Sequence, residues 1–297
     1  MFAFYLPKLM IKKGFSYIGI FFLYILSLLP LPVLHFFARL LYYPLYYIIG
    51  YRKAVVRENL VKSFPEKDIK EIIAIEKTFY KYLADLIFEI VKMPTISKKE
   101  LRKRVVFHNL ERIETYFKKG ESVLACTGHY GNWELCMLAL GEAASATEYV
   151  IYKPLNNEVF ENWFNKIRTR FGNVFVAMRQ TLRMVVATKD RPTMFCFASD
   201  QTPVKHETQY VLEFLNQRTA VLLGLEKIAL QTNRPVFYFD VKRVKRGYYK
   251  VDILPLCLNP KETEGHEITD LLFEFLSKTI KQEPAFWLWS HRRWKYS

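Results

Sequence analysis

Residues 122–154, SVLACTGHYGNWELCMLALGEAASATEYVIYKP, decide how the rest of the chain is read. The first six, Ser122 to Thr127, form a short apolar run of the kind that makes a fully buried strand. GNWELCMLALGEAA follows with helical spacing, and EYVIYKP reads as a second strand. A strand, a helix and another strand in that order are the unit of a parallel sheet.

The same alternation continues downstream. NEVFENWFNKIRTRFG reads as a helix, VFVAM as a strand, QTLRMVVATKD as a helix and PTMFCFASD as a strand. TAVLLGLEKIALQTN reads as a helix, and PVFYFDVKRVKRGYYKVDILPL as two strands that meet near Gly247. EITDLLFEFLSKTIKQEP closes the series as a long helix. Upstream, residues 54–92 repeat apolar positions at three and four, with SFPEKD as a break and restart. The expected class is α/β, with a mainly parallel central sheet flanked by helices.

Within the opening stretch, His129 stands two residues past the strand that ends at Thr127. In parallel sheets, ligands bind outside the carboxyl ends of strands. Gly128 and Gly131 flank His129 and permit a tight turn with close approach to the backbone. The helix then starts near Asn132, which places Glu134 in its first turn. A carboxylate folded back onto one ring nitrogen would fix the tautomer and free the other nitrogen to take a proton from a hydroxyl. The sequence therefore predicts Glu134 as the orienter of His129. His-x4-Glu is not H-E-x-x-H, and no third zinc ligand stands out, so no metal is expected. No phosphate-binding glycine loop and no G-x-S-x-G elbow occur, so neither a nucleotide cofactor nor a serine hydrolase is supported.

Composition narrows the setting. The 297 residues are 51% hydrophobic and 16% aromatic, a balance that suits contact with lipid or an apolar ligand. Lys and Arg number 44 against 29 acidic residues, for a net charge of +15. Such an excess favours an anionic partner, whether membrane surface, acidic protein or nucleic acid. Basic and aromatic residues interleave at 242–250, but no nucleic-acid motif accompanies them. Cys126, Cys136, Cys196 and Cys257 form no C-x-x-C pair and read as reduced cysteines of a cytosolic compartment.

From Gly14 to Ala38 there is no Lys, Arg, Asp or Glu, and LLYYPLYYIIG follows at Leu40. A spanning helix needs about 20 apolar residues, so the length is borderline, and Pro30 and Pro32 would break it near its end. Lysines precede the segment and Arg39, Arg52, Lys53 and Arg57 follow it. That symmetry favours a segment that dips into one leaflet over one that crosses. A buried hairpin of a soluble protein is the alternative. The division expected is a membrane-associating segment at 1–50 and a catalytic domain at 51–297.

Six ordered blocks carry a resemblance over residues 51–295. TGHYGNWE resembles the H-x4-[DE] block of the lysophospholipid acyltransferase superfamily, and in particular of the bacterial lipid A biosynthesis acyltransferases. YRKAVVRENLVKSFPE resembles that family's entry segment, IYKPLNNEVFENWFNKIRTRFG its second block and ASDQTP its Asp-Gln block. FLNQRTAVLLGLEKIALQTNRPVF and WLWSHRRWK complete the order, with Asn216 where a glycine is common and Tyr130 where many members have phenylalanine.

The resemblance implies an enzyme on the cytoplasmic face of a bacterial inner membrane. It would move a fatty acyl chain from acyl carrier protein, or from acyl-CoA, to a hydroxyl of a lipid A precursor. A phospholipid, aminolipid or other glycolipid acceptor is the alternative. The thioester is a co-substrate, and no bound cofactor is implied. His129 would be the general base and Glu134 its orienter. The family's later arginine and aspartate, which the resemblance implies position the substrate or the oxyanion, match Arg170 and Asp200, with Arg168 as the alternative arginine. Attack on a thioester creates an oxyanion that needs donors, and the Gly131 N–H or an arginine could supply them. Arg292 and Arg293, set among Trp287, Trp289 and Trp294, could hold an acidic headgroup or pack on the rings.

Overall fold

A computed structural model describes residues 5–203 and 210–295. Its centre is a seven-stranded sheet in the order β1-β9-β8-β2-β5-β3-β4. These strands are β1 (Val105–His108), β2 (Val123–Thr127), β3 (Thr147–Tyr152), β4 (Val174–Ala177), β5 (Thr193–Ala198), β8 (Val236–Lys245) and β9 (Tyr248–Cys257). Every neighbouring pair is parallel except β8 with β9, the hairpin turned at Gly247. The expected α/β class is present. All five residues of β2 are buried, because helices cover both faces of a parallel sheet and leave no polar side.

One segment differs from the reading of the sequence. TAVLLGLEKIALQTN is not a single helix: Gln217–Val221 is strand β7, paired antiparallel with β6 (Tyr210–Phe214), and only then does helix α10 (Gly224–Thr232) start. The turn between β6 and β7 places Leu215 and Asn216 at φ of +50° and +61°. That left-handed region favours glycine and tolerates asparagine, which accounts for Asn216 at a position where glycine is common.

The N-terminal residues form two helices, α1 (Tyr5–Leu28) and α2 (Leu31–Tyr43), so Pro30 and Pro32 separate two helices rather than end one. A π-helical turn (Pro44–Ile48), α3 (Lys53–Ser63) and α4 (Ile69–Lys92) follow. Among the described residues, no helix is long and apolar enough to cross a membrane. Yet this region exposes large apolar side chains side by side in sequence: Phe15, Ile18, Phe21 and Phe22 on α1, Phe36 and Leu40 on α2, then Ile48, which is 81% exposed.

Helix α4 joins that region to the sheet. It opens with a capping box, in which the Asp68 carboxylate accepts from the Glu71 N–H and the Glu71 carboxylate from the Asp68 N–H. Near its start, fully buried Glu76 accepts two hydrogen bonds from Arg57 of α3 and one from Tyr46. Further along, Tyr82, Asp85 and Glu89 recur at three and four and so share one face. Tyr82 donates to the Gly131 carbonyl, and Asp85 accepts from Arg243 and Arg246. Glu89 accepts from Asn132 at 2.9 Å and Tyr249 at 2.7 Å, and His35 of α2 lies 3.3 Å from its other oxygen.

Candidate active site

The register of the sheet brings the site together. Thr127 at the end of β2 lies opposite Ala198 at the end of β5. His129 and Asp200 each follow two residues later, so the two turns leave adjacent strand ends side by side. His129 Nδ1 lies 2.5 Å from Asp200 Oδ1. The other carboxylate oxygen accepts from the His129 backbone N–H and from Trp287 Nε1, each at 2.8 Å. With Nδ1–H donating to Asp200, the far nitrogen Nε2 carries a lone pair, and the Gln201 amide donates to it at 3.0 Å. The ring also meets Trp133 edge to face, with centroids 5.0 Å apart.

The charges follow from this arrangement. Burial alone would lower the His129 pKa. The charge and hydrogen bond of Asp200, with a further contribution from Glu134, outweigh it and leave the imidazole above its ordinary 6.5. Burial pushes Asp200 up, but the His129 charge and three hydrogen bonds win, and its carboxyl is held well below the usual carboxylate range.

The turn itself is built for close approach. Gly131 has φ of +57°, and a Cβ there would sit 2.9 Å from Val241 Cγ1. Asn132 then caps helix α7 (Trp133–Ala143): its Oδ1 accepts from the Leu135 N–H, while its Nδ2 donates to Glu89.

Glu134 stands in the first turn of α7, as the sequence predicts, but the geometry differs from the expectation that it holds the His129 ring. Its carboxylate faces Arg168, whose Nε donates to Oε2 at 2.8 Å and whose Nη2 donates to Oε1. The two side chains are 13% and 15% exposed, and the guanidinium lies 5.0 Å from both the Phe164 and Phe175 rings. The ring partner of His129 is Asp200, for which the resemblance implies only substrate or oxyanion positioning.

Two further residues lie elsewhere than expected. Arg170 donates to the Met93 and Ile96 carbonyls, outside the cavity, so Arg168 is the arginine at the site. The Gly131 N–H donates to the Phe286 carbonyl at 2.9 Å and is not free for an oxyanion. Arg293 is buried and donates to the Ala220 carbonyl, with its guanidinium 5.8 Å from the Phe273 ring, whereas Arg292 is exposed.

His129, Glu134, Arg168 and Gln201 line one cavity of about 380 Å³, together with Trp133 and His291. A second pocket of about 340 Å³ shares Ile151, Met178, Phe197, Ala198 and Leu222 with it and continues between β5 and α10 (Gly224–Thr232) over mostly apolar side chains. Gln201 and His291 are absent from the residues singled out by sequence. Both sit inside quoted blocks, ASDQTP and WLWSHRRWK, but nothing in either block says that they reach His129. Among the described residues, no group of three or more His, Cys, Asp or Glu is placed to hold a metal. All four cysteines are free thiols.

Comparison with known proteins places this geometry in a family. The chain is 21% identical to the lipid A biosynthesis palmitoleoyltransferase of Escherichia coli (strain K12) over 270 residues, which cover 90% of this chain and 86% of the relative. It is 22% identical over 275 residues to a lipid A biosynthesis acyltransferase of Haemophilus influenzae, covering 92% and 85%. The sequence model described as bacterial lipid A biosynthesis acyltransferase matches residues 4–296, and with a histidine–aspartate pair at the strand ends beside an apolar pocket, the chain belongs to that family of acyltransferases.

Proposed function

We propose that the protein works at a membrane surface and transfers a fatty acyl group from an acyl carrier protein thioester to a hydroxyl of a lipid A precursor. The observation that carries the reading is the Asp200–His129 pair, whose Nε2 opens on a cavity continuous with an apolar pocket. The acceptor hydroxyl displaces the Gln201 amide and donates to Nε2. As the oxygen attacks the thioester carbonyl, its proton passes to His129, and the imidazolium is stabilised by Asp200. When the tetrahedral adduct collapses, the C–S bond breaks and the departing sulfur takes that proton. The apolar pocket suits the acyl chain. The exposed apolar side chains of α1 and α2 suit the interface of a bilayer, consistent with the expected dipping segment.

The test is turnover by purified protein in anionic vesicles that contain a lipid A precursor, with products read by mass spectrometry. The expected product is the acceptor plus one acyl chain, formed from acyl carrier protein thioester, with a KM for that donor that rises with ionic strength as its acidic surface is screened. Acylation of a phospholipid but never of the lipid A precursor would overturn the acceptor. Equal use of acyl-CoA without a salt effect would overturn the donor.

The pH profile gives a second check. A base must be neutral to act, and the His129 pKa is raised. Thus kcat/KM should climb with pH along an acid limb whose midpoint lies above 6.5. In Asp200→Ala the partner that raises the pKa is gone while the burial that lowers it remains, so the residual activity should show a lower midpoint. A midpoint that stays or rises in the variant contradicts the pairing.

A further inference from the structure

His291 is held in place through its backbone while its ring stays unbonded. Its N–H donates to the Leu288 carbonyl at 3.0 Å, and its carbonyl accepts from Asn59 Nδ2 at 3.0 Å. On either side, Arg52 donates to the Ser290 carbonyl at 3.0 Å and Thr202 to the Arg293 carbonyl at 2.5 Å. The same segment is tied to the catalytic turn, because the Leu288 N–H donates to the His129 carbonyl at 3.1 Å. So many anchors on one short stretch fix where the imidazole stands, and it stands in the wall of the cavity that holds His129.

The two ring nitrogens differ. Nδ1 is buried and has no hydrogen-bond partner. Nε2 has no hydrogen-bond partner and is not sealed off as Nδ1 is, and the ring stands in the cavity wall, so Nε2 is the nitrogen available to a substrate there. A buried N–H without an acceptor is rarer and costlier than a buried lone pair without a donor. The proton therefore belongs on Nε2, where it faces the substrate. The ring is also neutral at physiological pH: burial pushes its pKa down to about 4, His129, Arg293 and Arg52 add to the fall, and only Asp200 opposes it. A neutral imidazole donates a hydrogen bond without giving up its proton, the behaviour known from other enzymes that polarise carbonyl oxygens.

The oxyanion still needs such a donor. The Gly131 amide is taken by Phe286, Arg170 lies outside the cavity, and Arg168, which lines it, directs its Nε and Nη2 donors to Glu134. We propose that His291 is a catalytic residue whose Nε2–H donates to the thioester carbonyl oxygen and holds the oxyanion formed on attack. The acceptor oxygen forms its bond to the carbonyl carbon, the π pair moves onto the carbonyl oxygen beside His291, and the pair returns as the C–S bond breaks. His291 keeps its proton throughout; the only proton moved is the one that His129 takes from the acceptor and gives to the sulfur. The inference rests on the acyl-transfer reading.

The experiment compares wild type, His291→Phe, His291→Gln and His129→Ala in full-length protein. It measures acyl transfer to the acceptor and, without acceptor, hydrolysis of the thioester donor by water. Phenylalanine keeps the ring's packing and removes both nitrogens, so His291→Phe should melt no lower than wild type. Both transfer and hydrolysis should nevertheless fall roughly 10²–10³-fold, the loss typical of an oxyanion donor, with little change in KM for the donor. Glutamine, whose amide can donate, should recover part of the loss. Unchanged turnover in His291→Phe overturns the proposal. So does a loss confined to transfer with a raised acceptor KM, which would make the ring a contact for the acceptor. Full activity in His129→Ala would instead remove the reading beneath it. If His291→Phe does not fold, His291→Gln decides: it should be impaired in transfer and hydrolysis alike, and wild-type rates in either overturn the proposal.

Discussion

Replacing Asp200 by asparagine should nearly abolish acyl transfer while the fold survives. In the wild type, Asp200 Oδ2 accepts from two N–H donors, the His129 backbone and Trp287. An asparagine keeps both bonds only by placing its carbonyl oxygen there. Its NH2 group then occupies the Oδ1 position, 2.5 Å from His129 Nδ1 in the wild type. An NH2 at that point donates, so Nδ1 must accept and the ring proton moves to Nε2. The nitrogen that should take the substrate proton then already holds one. The loss should be on the order of 10²–10⁴-fold in kcat, the range for a general base, and similar to that of His129→Ala. The double variant should be scarcely slower than either single one, since the two residues act as one unit. Turnover of the three variants, with thermal midpoints as a check on folding, decides it. Losses that multiply in the double variant would show that Asp200 does something other than hold the ring.

The second large effect concerns Glu134 and Arg168. Each is the other's partner, both are mostly buried, and the guanidinium is further fixed between Phe164 and Phe175. Removing either leaves a charge without its counterpart in the wall of the cavity, beside His129. Glu134→Ala and Arg168→Ala should each cost roughly 10–100-fold in turnover, about 1.4–2.7 kcal/mol of barrier. The double variant should be no worse than the poorer single one. Arg168→Lys should stay impaired, because an ammonium cannot reproduce the two parallel bonds. If instead Glu134 acted directly on His129, its removal would cost as much in Arg168→Ala as in wild type. A double-mutant cycle on kcat separates the two cases.

The strand–turn–helix–strand stretch and the position of His129 were legible in the sequence because both depend on local pattern. Buried strands are short apolar runs, and the turn announces itself with two glycines. The partner of His129 was not legible for the opposite reason. Glu134 lies five residues away and can be seen by eye, whereas Asp200 reaches the ring only through the pairing of β2 with β5. Register is a property of two strands, and one sequence does not contain it in readable form. Arg168 and Arg170 show the same limit at finer scale. They stand at the end of one helix, two residues apart, and which of them faces the cavity is set by the packing of α8 (Glu158–Arg168) and not by residue type. The end of β7 reads as helix in the sequence because TAVLLG is apolar and followed by good helix formers, a case in which periodicity is silent.

The chain of contacts from His35 through Glu89 to Asn132 has a practical meaning for anyone handling this protein. The greasy leading helices look like a part to be trimmed away for a tractable sample. Trimming would strip α2 from α4 and remove the histidine that touches Glu89. The carboxyl that steadies the cap of α7, and with it the turn bearing His129, would then face solvent on one side. The leading helices and the turn that bears His129 are thus one mechanical piece, and a shortened version is expected to be easier to purify and harder to measure.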